Sequence, residues 1–218
     1  KIVGKIDDYD FNFFRNNYMV AANIRHIDLS EAILVRPRSV EIGNDNWFPS
    51  NAFYNSSLGG CYVEEIILPN SVKVIDSNAF NGCSRIKEIR LPESLSPWSF
   101  YKYVKPGASS YSTKMMSGLQ DNVFAGCTSL ETIYVPCKPG AYNNVGHLYY
   151  IKGEHTLKTG LADNTKVTVV VPSEYLTQYL TPKENGSDWF ETDGRDWNNG
   201  WVAGGFNIVG QYPVYSLS

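Results

Sequence analysis

The side chains able to do chemistry are few and scattered. Nucleophilic catalysis needs a serine or cysteine beside a base, usually a histidine held by a third group. The three histidines, His26, His147 and His155, fall on different segments, and no G-x-S-x-G elbow occurs. Glycoside hydrolysis needs two carboxylates about 5–10 Å apart across a cleft. The one cluster that offers them is Asp188, Glu191, Asp193 and Asp196, set among Trp189, Trp197 and Trp201. It reads equally as a solvated loop whose tryptophans cover an end of the fold. Asp193, Asp196 and Asn198 are oxygen donors that suit calcium, but their spacing is not that of a D-x-[DN]-x-[DN]-G loop. The cysteines Cys61, Cys83, Cys127 and Cys137 form no C-x-x-C pair, so no zinc site is expected, and they are too few to scaffold a chain of this length. Cys83 and Cys127 read as buried thiols acting as small apolar residues. Gly59-Gly60 and Gly204-Gly205 read as turns rather than phosphate cradles. Asn55-Ser56-Ser57 and Asn185-Gly186-Ser187 match the glycosylation pattern, which often arises by chance. No catalytic residue, metal or cofactor is expected.

What remains is contact chemistry. The chain has 218 residues, 15 Tyr, 5 Trp and 18 Gly, with a formal charge of −3. Aromatics at this density suit β-rich structure and contact surfaces. The charge argues against nucleic acid as partner. No run of about 18 apolar residues predicts a transmembrane helix. No signal-peptide pattern stands at the start. Lys1 in place of methionine is expected of a processed or trimmed chain, so that absence excludes no export route.

The elements that must position these aromatics come from an internal repeat. Ile24–Ser30, Val63–Pro69, Ile86–Pro92, Leu130–Pro136 and Lys166–Pro172 align, each with apolar residues three and one positions before its closing Pro or Ser. Ala52-Phe53, Ala79-Phe80 and Val123-Phe124 recur, preceded five positions before the aromatic by Phe48, Ile75 and Leu119. Agreement at several fixed offsets is a strong repeat signal. The bare unit, Pro69 to Pro92, is 23 residues, and the other intervals are 39, 44 and 36. These longer intervals predict insertions that leave the stack as loops. Residues 96–117 and 137–165 are two such insertions, rich in aromatics and glycine. Their rings either pack onto the coil or form an exposed platform.

Period-2 geometry then assigns faces. Ile27/Leu29, Ile66/Leu68, Ile89/Leu91, Ile133/Val135 and Val169/Val171 point inward. Asp28, Ile67, Arg90, Tyr134 and Val170 form one outward column, and His26, Glu65, Glu88, Thr132 and Thr168 the next. Phe53, Phe80 and Phe124 are expected to stack inside. Residues 1–23 predict a strand at 2–6 and a helix capped by Asp7 or Asp8, with Phe11, Phe14 and Tyr18 on its apolar face. After Pro172, Ser173 is expected to cap a helix through Leu180. A Trp-rich loop and a last strand near 206–210 follow.

The motif Ile75-x-x-x-Ala79-Phe80-x-Gly82-Cys83-x-x-Ile86-x-x-Ile89-x-Leu91-Pro92 resembles the BspA-type leucine-rich repeat, and Val123–Pro136 matches that pattern still better. The end, with Val171-Pro172, a helix, tryptophans and Asn207-Ile208-Val209, is also similar to that family. The resemblance implies a bacterial cell-surface or secreted protein, often lipid-anchored, that acts in adhesion. It transfers no catalytic residues.

The fold expected is an α/β leucine-rich-repeat right-handed solenoid. It is β-rich, with parallel strands and short helical turns, and forms a single domain over 1–218. An N-terminal cap spans 1–23, about five irregular repeats span 24–172, and a C-terminal cap spans 173–218. The expected function is a non-enzymatic binding or adhesion module, recognising a protein or glycan on a host or neighbouring cell and acting as a monomer. Ligand contacts are assigned to Ile67, Arg90 and Tyr134 on the strand face and to Trp98, Phe100, Tyr101 and Tyr103 in the first insertion. The rival readings are an accessory carbohydrate-binding domain of a glycan-degrading system and a structural spacer.

Overall fold

The structure is a computed structural model. It describes residues 1–35, 45–95, 99–104, 111–116, 118–120, 122–136, 160–180 and 205–211, with only the backbone at 99–104, 111–116 and 178.

The chain opens with strand β1 (Val3–Ile6), then helices α1 (Asp8–Asn16) and α2 (Tyr18–Asn23). Asp7 starts α1 through a capping box. Its carboxylate accepts from the Tyr9 N–H at 2.8 Å, and the Asp10 carboxylate accepts from the Asp7 N–H at 2.9 Å. The expected single apolar face breaks after Phe14. Asn17 ends α1 and caps α2 by accepting from the Val20 N–H at 3.2 Å, which leaves Tyr18 exposed on the second helix.

All five repeat strands form where the alignment puts them. They are β2 (His26–Asp28), β5 (Glu65–Ile67), β7 (Glu88–Arg90), β10 (Thr132–Tyr134) and β11 (Thr168–Pro172), with β3 (Glu31–Leu34), β4 (Trp47–Phe48) and β6 (Val74–Ile75) between them. β2 pairs in parallel with β5, with Ile27 opposite Ile66. β7 pairs with β10 (Ile89 opposite Ile133), and β10 with β11 (Ile133 opposite Val169). β12 (Asn207–Gln211) adds a further parallel strand beyond the five, with Ile208 opposite Val169. The stack is not one sheet, however. β5 and β7 lie side by side but belong to separate ladders. β1 pairs in parallel with β3.

A second parallel ladder runs behind the first. Phe48 lies opposite Ile75, and Ile75 opposite Leu119, the three positions that the sequence aligns five residues ahead of the aromatic. Between the ladders the chain turns through corners that begin with Asn51, Asn78 and Asn122, at φ 49°, 59° and 56°. Asparagine tolerates this left-handed region better than other chiral residues. Gly82 serves a different need. Its φ is +68°, and a Cβ there would come within 3.1 Å of Gly60 Cα and the Tyr54 ring. Neighbouring corners approach main chain to main chain, so only glycine fits.

The core lies between the ladders. Phe80 and Phe124 stack at 5.8 Å with an interplanar angle of 10°. On its other side Phe80 meets Phe48 at 5.4 Å rather than Phe53, which packs beside Phe48 and Phe11. Phe11 of α1 extends the column, 5.3 Å from Phe48. The inward strand residues are all buried.

Residues 99–116 hold an antiparallel ribbon that the composition did not reveal, β8 (Ser99–Val104) against β9 (Tyr111–Met116). At the C-terminal side, Ser173 does not cap. A 3-10 turn begins on it, residues Ser173–Tyr175, and α3 (Leu176–Leu180) continues; the cap position falls on Pro172, which supplies no side-chain bond.

Cys61, Cys83 and Cys127 are free and buried, as their repeat slot implies. The Cys127 thiol donates to the Phe80 carbonyl at 3.2 Å, and burial pushes its pKa up to about 12.

Two outcomes follow. Phe80 is fully buried between two rings, so Phe80→Ala should cost about 3–5 kcal/mol in chemical denaturation. An unchanged midpoint would contradict its place in the core. The Cys127 thiol ionises near ~8.5 when unfolded but near about 12 when folded. Its stabilising effect is therefore complete below the unfolded value and lost as pH rises toward the folded one. Stability should fall between about pH 8.5 and 12, and Cys127→Ala should reduce that slope.

Candidate interaction surface

The outward columns of the front strands build one polar face. Each side chain is placed by strand alternation, and its neighbour across the ladder is set by the parallel register. His26 and Glu65 stand opposite each other, with Nδ1 to Oε2 at 3.1 Å. Glu88 and Thr132 are the next opposed pair, and Arg90 lies opposite Tyr134. The Tyr134 hydroxyl donates diagonally to Glu88 Oε2 at 3.3 Å. Desolvation, with the Glu88 charge second, holds the Tyr134 hydroxyl above its ordinary range, so it stays a neutral donor. Arg90 pairs with Glu93 at 3.6 Å. Asp28 is held low by hydrogen bonds from the Ser30 hydroxyl (2.6 Å) and N–H (2.9 Å).

A groove of about 450 Å³ opens on this face where β5 meets β7. Ser30, Glu65, Asn70, Glu88, Arg90 and Tyr134 rim it, together with Ile67, which is 45% exposed. Ile66, Leu68 and Leu91 also line it, although their side chains are buried on the core side.

The N-terminal end of the same junction is clamped. Two guanidinium groups lie against the Tyr62 ring, Arg25 at 5.3 Å and Arg85 at 4.7 Å from its centre. Glu64 bridges the same two arginines at 3.6 and 3.2 Å. A second, shallower hollow lies beyond the clamp, bordered by Arg85, Lys87, Glu88 and Glu131.

The structure brings Ile67, Arg90 and Tyr134 into one groove. Phe100, Tyr101 and Tyr103 lie on β8, opposite Met115, Lys114 and Ser112 in the ribbon. Trp98 lies outside the described residues, as do the acidic and Trp-rich stretch at 188–201 and residues 137–159. Among the described residues, no group of three His, Cys, Asp or Glu side chains converges to hold a metal. Glu65, Glu88, Ser30 and Asn70 were missing from the ligand-contact set. Glu65 and Glu88 were legible as a register column. Ser30 and Asn70 reach the groove only through the turns after their strands, which no periodicity marks.

Among the described residues, no helix is long and apolar enough to cross a membrane. No curated protein and no solved structure matches the chain. A family model does match, over residues 46–152 and in six copies. The matched span is shorter, and the copies more numerous, than the roughly five units read over 24–172. Strands β5, β7 and β10, the second ladder and the asparagine corners all fall within it. Residues 46–152 are a BspA type leucine rich repeat region.

Proposed function

We propose that the chain is a short right-handed solenoid, capped by residues 1–23 and 173–218, that works as a surface-displayed or secreted binding module. The observation that carries this reading is the groove that collects Ile67, Arg90 and Tyr134. An exposed apolar group, an exposed cation and a half-buried aromatic converge there on a face built from regular strands, as at the centres of binding surfaces. Leucine-rich-repeat domains commonly bind proteins and are generally not enzymes, and BspA-type members are typically surface or secreted proteins. The carboxylates on this face are engaged, Glu65 with His26 and Glu88 with Tyr134. That arrangement favours recognition over proton transfer. The partner is a protein or a glycan, and the first insertion, with Trp98, Phe100, Tyr101 and Tyr103, is a second contact region.

The test is a screen of the full chain against extracellular proteins and glycans, followed by affinity measurement on the strongest partner. Tyr134→Ala should weaken binding by about tenfold or more, about 1.4 kcal/mol. Unaltered affinity in that variant together with loss in Trp98→Ala would move the site to the insertion. No binding to any partner would favour a spacer.

A further inference from the structure

At the front-ladder junctions β2–β5, β7–β10 and β10–β11, two main-chain bonds recur at the strand ends. One runs from the residue after a strand to the next strand: Leu29 N–H to Ile67 O at 2.9 Å, Leu91 N–H to Tyr134 O at 2.9 Å, Val135 N–H to Val170 O at 2.8 Å. The other runs from the first residue of a strand back to the residue before the neighbouring strand: Glu65 N–H to Arg25 O at 3.0 Å, Thr132 N–H to Lys87 O at 3.1 Å, Thr168 N–H to Glu131 O at 2.8 Å. Between β5 and β7 their counterparts would be Leu68 N–H to Arg90 O and Glu88 N–H to Glu64 O. Neither forms, and no ladder joins the two strands.

The cause lies in the corner. Two residues separate Cys83 from Ile86 and Cys127 from Leu130, and both corners close with a bond back to the cysteine carbonyl, at 3.3 and 3.2 Å. Only Tyr62 separates Cys61 from Val63. Cys61 is fixed in register with Cys83, and Val63 and Ile86 are both buried. β5 therefore leaves its corner one residue short, and the sheet parts along the floor of the groove.

Buried main-chain donors and acceptors seldom go unpaired. The seam is too narrow for another strand. Inserting one would set β5 and β7 about 9.6 Å apart, twice the usual ~4.8 Å, whereas their Cα atoms approach within 8 Å. A hydroxyl fits the need instead, because one oxygen both accepts from an N–H and donates to a C=O. The rim supplies further matching chemistry in Ser30, Asn70, Arg90 and the Tyr134 ring, while Glu65 and Glu88 disfavour an anion.

We propose that the β5–β7 seam is a binding slot for a neutral oligosaccharide, whose hydroxyls complete the parted main-chain pairs. This rests on the reading of the strand face as a binding surface and names its ligand class.

The experiment is residue-resolved amide exchange by NMR on the full chain, free and with the strongest binder from an array of neutral hexose and pentose oligosaccharides. In the free protein the Leu68 and Glu88 amides should exchange about tenfold or more faster than those of Leu91 and Thr132. Saturating oligosaccharide should slow both. Inserting a serine between Tyr62 and Val63 lengthens the corner to that of its neighbours, and should protect Leu68 and abolish sugar binding. Should that variant fail to fold, the wild-type exchange pattern decides alone. Leu68 as protected as Leu91 in the free protein would overturn the seam. Sugar binding that is lost in Tyr134→Ala yet leaves Leu68 unprotected would overturn the slot while sparing the binding face. Peptides that bind this face where no neutral sugar does would overturn the ligand class alone. No ligand of any kind on the face would end both proposals.

Discussion

The structure depends on one constraint, that the main chain of each repeat must lie directly against the main chain of the next at every corner. Gly82 sits against Gly60, and Gly126 against Gly82, with room for no Cβ between them. Asn51, Asn78 and Asn122 turn the chain into those corners in the left-handed region. Where corners in contact are also equal in length, strand spacing, register and inward packing are no longer independent choices. Ile89 must meet Ile133, and Phe80 must meet Phe124. The fold is set by closeness at its turns as much as by its apolar strands.

Much of this was legible in the sequence because fixed offsets are visible without coordinates. The five strand segments, their register within each front ladder and the alignment of Phe48, Ile75 and Leu119 all follow from spacing. What was missed has specific physical causes. The β8–β9 ribbon lies in an insertion, where no neighbouring repeat supplies a template. Phe48 takes the place next to the Phe80 ring although Asn51 and Ala52 hold register with Asn78 and Ala79 through main-chain bonds, so aligned backbone does not by itself decide which ring fills the gap. The helix break at Asn17 is a capping event that an apolar count does not register. On the candidate site, the columns were readable and the groove was not. A one-residue deletion in a corner is visible in an alignment of repeats, but its effect on the sheet emerges only in three dimensions.

The polar face illustrates how a regular scaffold can carry irregular content. Strand positions that point inward are confined to Ile, Leu and Val by the core. Outward positions at the same registers range over His, Glu, Arg, Tyr, Thr and Ile. Their side chains bond across the ladder, as His26 does to Glu65 and Tyr134 to Glu88. Such bonds fix orientations without filling the surface, so the scaffold stays constant as the chemistry it displays changes.

The phenylalanine column has a consequence for how the molecule holds together as a whole. Stacked repeats behave as a chain of nearest-neighbour couplings, and the weakest coupling decides how far order on one side is felt on the other. Where the front sheet parts between β5 and β7, hydrogen bonding no longer transmits that coupling. The Phe48–Phe80 ring contact, the back ladder through Ile75 and the Cys61–Cys83 corner bridge the same boundary. Cooperativity thus passes through the interior and the rear of the stack, which leaves its front free to give locally without the two halves losing knowledge of each other.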